Sequence, residues 1–99
     1  MKVVWSQPAV RDLDAIREYV ARDSAHYAAR LVARIIDAVR LLRRFPEMGA
    51  VVPEFREAGI RERVSGNYRI LYQVCSTRVL IVAVVHAARD IGSIHITSE

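Results

Sequence analysis

Hydrophobic positions recur at helical spacing through the first half of the chain and alternate through the second. Ala9, Leu13, Ile16 and Val20 form one helical stripe, while Arg11, Asp12, Arg17 and Glu18 fall on the outer face. Ser6 stands where an N-cap is expected, and Pro8 lies in the first turn, where a missing N–H costs nothing. The pattern runs out near Arg22 and Asp23. Ser24 then caps a longer stretch, AHYAARLVARIIDAVRLLRRF. Its main stripe is Ala28, Leu31, Ile35, Ala38 and Leu42, widened by Val32, Ile36 and Val39. Arg40, Arg43 and Arg44 complement the helix dipole in the last turns, and Pro46 stops the helix. Two amphipathic helices with so short a link predict an antiparallel hairpin.

Around this hairpin the periodicity is that of strands. KVVW opens the chain as a short β-branched and aromatic run. PEMGAVVPEF reads as an irregular link with two prolines and a glycine. GIRERV, YRILYQV and VLIVAVVHA follow, joined by Ser65-Gly66-Asn67 and by Ser76-Thr77-Arg78, both of them tight-turn chemistry. The predicted fold class is α+β, in the order β-α-α-β-β-β: an antiparallel sheet with an antiparallel two-helix hairpin on one face. One domain spanning residues 1–99 is the expectation at this length.

Alternation assigns faces. Tyr68, Ile70, Tyr72 and Val74 should meet the helices, leaving Arg69, Leu71, Gln73 and Cys75 on the other side. Arg61 and Arg63 alternate with Ile60, Glu62 and Val64, and the expectation is that Arg61, Arg63 and Arg69 make one basic patch on an open, helix-free face. Glu62 would then face the helices. The last strand is apolar on both faces and so should be central or covered. With a two-residue loop, Ser76-Thr77, Cys75 faces Arg78, Arg69 faces Val84, and His86 joins the arginine face; a three-residue loop would turn His86 to the helices. The shorter loop is the expectation.

Composition then adds a partner. The apolar fraction is 53% and the mean hydropathy +0.13, high for a short soluble chain, which suggests a surface that another protein covers. Net charge is +4, and all fifteen basic residues but Lys2 are arginine. This favours anionic partners, nucleic acid or an acidic protein segment, although arginine richness also fits a bias in base composition. No apolar run approaches a membrane span, the N-terminus lacks the pattern of a signal peptide, and the cytoplasm is the expected location.

The candidate chemistry is sparse. The single cysteine, Cys75, excludes an internal disulfide framework and is expected to be a small buried hydrophobe. His26, His86 and His95 show no metal spacing, and no glycine pattern makes a phosphate loop, so no metal or cofactor is expected. Trp5, Tyr19 and Tyr27 read as core or hairpin-packing aromatics. IGSIHITSE is either a frayed tail or a final strand.

Four stretches together, WSQPAVRDLDAIREYVARDS, LLRRFPEMG, IRERVSGNYRILYQV and VLIVAVVHAARDI, resemble the RelE/ParE superfamily of type II toxin–antitoxin toxins over most of the chain. The resemblance implies a small bacterial toxin held in a hetero-oligomer by an antitoxin whose acidic, apolar segment wraps it. RelE-like members cleave mRNA on the ribosome, whereas ParE-like members inhibit DNA gyrase without a recognised catalytic site. YRILY and VVHAARD look ParE-like, so the expectation is a non-enzymatic gyrase inhibitor, with Arg61, Arg63, Arg69 and Arg89 as partner-binding residues. The alternative is a ribosome-dependent endoribonuclease using Arg69, His86, Arg63 and Arg61. The chain departs from the nuclease pattern in having no tyrosine after Tyr72, no lysine but Lys2, and Ala50 after the PEMG turn. Arginine can hold a phosphate, but it stays charged and hardly serves as a base.

Overall fold

The computed structural model describes residues 1–94 and residue 96. β1 (Lys2–Trp5) leads into α1 (Gln7–Ala21) and α2 (Ala25–Arg40), which ends in a 3-10 turn, Leu41–Arg43. β2 (Ala50–Val51) and a 3-10 segment, Pro53–Ala58, lie inside the irregular link. β3 (Ile60–Ser65), β4 (Tyr68–Val74) and β5 (Arg78–His86) make the meander, and a 3-10 turn, Ile91–Ser93, follows. The α+β architecture is the expected one. Both caps are in place: Ala9 N–H donates to Ser6 Oγ at 3.1 Å and Tyr27 N–H to Ser24 Oγ at 3.0 Å.

The five strands lie in the order β1-β5-β4-β3-β2, antiparallel except that β1 runs parallel to β5. This places β5 in the interior of the sheet, between β1 and β4, in keeping with its apolar character on both sides. On the helix side Leu31, Ile35, Val39 and Leu42 pack on Ile70, Tyr72, Val79, Ile81 and Val84, with Val3, Trp5, Leu13 and Ile16 at the margin.

The other face is not open, contrary to the expectation. Val52, Ile60, Leu71, Val82, Ala83, Val85 and Ile91 form a second core, with Phe55, Ala58, Ile94 and Ile96 packed on it. The link after β2 and the segment after β5 therefore cover the face that the helices leave. The C-terminal stretch is accordingly neither frayed nor a strand as far as Ile94; His95 and residues 97–99 lie outside the described residues.

Two local features set the registers. Gly66, with φ 57°, and Asn67 make a two-residue turn, so Ser65 pairs with Tyr68, Arg63 with Ile70 and Arg61 with Tyr72. Arg61 and Arg63 thus lie on the helix side, not beside Arg69. Ser76-Thr77 is a two-residue loop as expected, and Cys75 N–H donates to the Arg78 carbonyl at 2.8 Å. Val82, however, is the extra residue of a β-bulge: Tyr72 pairs with Ile81 but Leu71 with Ala83. From there the alternation reverses, Arg69 pairs with Val85 instead of Val84, and His86 stands opposite Tyr68 on the helix side. The bulge falls where β5 loses its parallel neighbour, just after the Trp5–Ile81 pair. Ser6 holds it there, donating its N–H to Ile81 O at 2.9 Å and its hydroxyl to Val82 O at 3.4 Å.

Candidate functional site

The residues that alternation gathers into one patch divide among three places. Arg69 lies on the second face, opposite Val64, and its guanidinium pairs with Glu62, which shares that face and does not point toward the helices as alternation alone predicts. Both side chains are about four-fifths buried, at 20% and 19% exposure, so the pair is largely withdrawn from water. The buried Arg69 Nε has no hydrogen-bond partner among the described residues.

Arg61 and Arg63 serve backbone carbonyls. Arg61 Nη1 donates to Gly49 O at 2.8 Å and to Glu47 O at 3.2 Å, while Arg63 Nε donates to Ala38 O at 2.9 Å. Ala38 lies in the last turn of α2, so Arg63 satisfies one of the carbonyls that a helix end leaves free. Arg61 belongs to a clamp on the PEMG turn. Gly49 N–H donates to the buried Tyr72 hydroxyl at 2.9 Å, and burial pushes the Tyr72 phenol above its ordinary pKa. A Cβ on Gly49 would stand 2.3 Å from Glu62 O and 2.5 Å from Tyr72 Oη, so only glycine fits. The clamp presents Phe45 and Met48 to solvent, 53% and 44% exposed.

His86 and Arg89 lie at the opposite end of the sheet. His86 Nδ1 accepts the Ala88 N–H at 3.1 Å, which assigns the proton of the neutral ring to Nε2, and the imidazole meets Tyr68 edge-on at 5.4 Å. His86 and Tyr68 border a concavity of about 320 Å3 with Asp12, Tyr19 and Arg89. Asp12, assigned to the outer face of α1 by its sequence position, turns inward. Its carboxylate accepts the Val84 N–H at 3.0 Å, satisfying the strand beyond the end of β1. Burial raises the Asp12 carboxyl above its ordinary pKa, against the opposing pull of that N–H and of Arg89. The signal was present: Asp12 sits three residues after Ala9 and four before Ile16, on the apolar stripe. Tyr19 and Tyr27 are exposed, 69% and 51%, and are not core aromatics; Trp5 does pack on the core. Cys75 is only half-buried, because it sits at the β4–β5 turn. Among the described residues no group of three or more His, Cys, Asp or Glu side chains could hold a metal ion.

Comparison with known proteins agrees with this framework. The family model for the ParE toxin of the type II toxin–antitoxin system parDE matches residues 3–91. The chain belongs to the ParE toxin family. Toxin RelE2 of Caulobacter vibrioides is 38% identical over 89 residues, covering 89% of this chain and 97% of that protein. The chromosomal ParDE toxin–antitoxin system from P. aeruginosa contains a similar structure, with TM-score 0.72 and 25% identity over 87% of this chain and 95% of the other. The toxin–antitoxin complex RelBE2 from Mycobacterium tuberculosis contains another, with TM-score 0.66 and 26% identity over 86% and 95%. The ParE-family fold is thus shared by relatives carrying both ParE and RelE names. No helix among the described residues is long and apolar enough to cross a membrane.

Proposed function

We propose that this ParE-family toxin acts in the cytoplasm by binding and inhibiting DNA gyrase, and that a cognate antitoxin neutralises it. The observation that carries the reading is the separation of Arg69 from His86. Cleavage of RNA through the ribose 2′-OH needs a proton acceptor, cationic stabilisation of the phosphorane and a proton donor around one phosphate. Arg69 faces away from His86 and is committed to Glu62, while Arg61 and Arg63 are committed to carbonyls on the helix side. Such a distribution supports inhibition by protein contact over acid–base chemistry. The antitoxin partner is supported by the two similar structures, both from toxin–antitoxin complexes.

Ribosome-dependent mRNA cleavage is the second reading, favoured by the 38% identity to a toxin named RelE2. It would have to be built without His86 beside Arg69. Pulse labelling within minutes of inducing the chain without antitoxin separates the two. An early fall in DNA synthesis, matched by loss of supercoiling by purified gyrase, is the expected outcome. Translation stopping first would overturn the gyrase reading and establish the nuclease one.

A further inference from the structure

We propose that the turn at residues 45–48 is a preformed docking tip, which seats Phe45 and Met48 in an apolar pocket of the target, DNA gyrase. The inference rests on the gyrase reading above and assigns the surface of the toxin that makes the contact.

The turn is held rigid before any partner arrives. Pro46 fixes the backbone at its second position, and Met48 N–H donates to Phe45 O at 3.2 Å to close it. Phe45 N–H donates to Leu41 O at 3.0 Å, which joins the turn to the end of the helical hairpin. From the sheet, Arg61 donates to Glu47 O and Gly49 O, and the Tyr72 hydroxyl accepts the Gly49 N–H. What this scaffold displays is apolar. Phe45 and Met48 are about half exposed and border a concavity of about 330 Å3 with Pro46 and Glu47. Neither side chain belongs to either core, so the clamp holds in place two side chains that the packed interior does not use. The Arg44 guanidinium lies 5.8 Å from the centre of the Phe45 ring. Aromatic, methionine and arginine side chains are the types enriched in protein contacts.

These features select a folded protein target. A projecting turn is buried from several sides only by a pocket on a larger body, and ordering it beforehand removes part of the entropic cost of binding. An extended segment finds little here, because the neighbouring edge strand, β2, has two residues, too few to template an added strand. A second copy of the chain would set tip against tip and bury a few side chains, well short of the roughly 800 Å2 per partner of a standard interface. A nucleic acid would meet Arg43 and Arg44, but also the exposed Glu47 carboxylate and the apolar tip. The two arginines outnumber that carboxylate, so the rim of the receiving pocket is acidic.

The test measures binding of full-length toxin to intact gyrase without DNA, with Tm recorded for each variant. Phe45→Ser with Met48→Ser removes the tip, and Val10→Ser with Val64→Ser, the control, removes two exposed apolar side chains elsewhere. The tip variant is expected to bind gyrase at least about 30-fold more weakly and to lose inhibition of supercoiling in step, with the control near wild type. Arg61→Met leaves Phe45 and Met48 in place but releases the turn. It should lower gyrase affinity about 5-fold and speed amide exchange at Gly49. Arg44→Glu should weaken binding about 10-fold. If the tip variant loses Tm, these two arginine variants decide. Unchanged gyrase affinity in a folded tip variant, wild-type affinity in Arg61→Met despite faster exchange, or tighter binding by Arg44→Glu would overturn the proposal. So would a loss confined to antitoxin binding, to a labelled DNA duplex or to self-association in the centrifuge, each of which would give the tip another occupant. If wild-type toxin neither binds nor inhibits gyrase, the gyrase reading itself fails and the proposal with it, a result seen without any variant and so distinct from the others.

Discussion

The two faces of the sheet bury apolar side chains equally well and by different means. Toward α1 and α2, the core comes from regular elements whose hydrophobic period matches their geometry. On the opposite side Val52, Phe55, Ile91 and Ile94 arrive from segments with little regular structure, and their burial follows from where the chain passes. Ile70 and Leu71 are consecutive, point to opposite faces, and are both fully buried. A periodic element advertises its buried face in the sequence, whereas an irregular cover does not. The face expected to be open is covered for this reason, while the basic patch itself is dispersed by the β3–β4 register. Arg69 lies beside a core, and it is tolerated there because Glu62 shares its face.

The sharpest test of this comparison is the pair Ile70→Ala and Leu71→Ala. Each is expected to cost about 2–5 kcal/mol in denaturant unfolding, as truncation in a packed core does. A Leu71→Ala cost under about 1 kcal/mol, typical of a surface site, would mean that the second face is open after all. Gly49→Ala should come next, at about 1–3 kcal/mol, because the added methyl drives into Glu62 O and Tyr72 Oη. Tyr72→Phe separates the hydrogen bond from the packing. It should cost about 1–3 kcal/mol by leaving the Gly49 N–H without its acceptor.

Smaller is the Arg69–Glu62 pair, whose partial burial puts it between exposed and fully buried ion pairs. A double-mutant cycle with alanine at both positions should give a coupling of about 1–2 kcal/mol. No coupling would mean that the pair is as solvated as an ordinary surface bridge.

The smallest effect is expected at Asp12, and it is a pH dependence. Its folded pKa is raised above the ordinary 3.8, so the folded state keeps the proton to higher pH than the unfolded state does. Stability from this group therefore falls as pH rises from 3.8 through the folded pKa, and returns on acidification. Asp12→Asn keeps an acceptor for the Val84 N–H and removes the ionisation. It should flatten the Tm-against-pH profile just above 3.8 and change stability at neutral pH by no more than about 1 kcal/mol. An unaltered profile would mean that burial does not raise this carboxyl.

Local pattern alone was enough for much of this protein. Ser6 and Ser24 as caps, the Ala28–Leu31–Ile35–Ala38–Leu42 stripe and the interior position of the last strand all follow from interactions within a few residues, or from an apolar run that needs cover on both sides. The antiparallel hairpins followed likewise, because short loops leave few geometries. What the tertiary structure alone decided is which face several side chains occupy. Taking the β3–β4 turn as three residues instead of two moved Arg61, Glu62 and Arg63 to the wrong side, and one bulged residue, Val82, did the same to His86. Strand alternation has a period of two, so a single-residue error inverts every assignment beyond it. The bulge is stabilised by Ser6, remote from Val82 in sequence, and the second core by chain on both sides of the meander. Such long-range contacts leave no local period to read. The sequence therefore determined the elements and the family to which they belong, and only the packed sheet determined that Arg69 lies on one face and Arg61, Arg63 and His86 on the other.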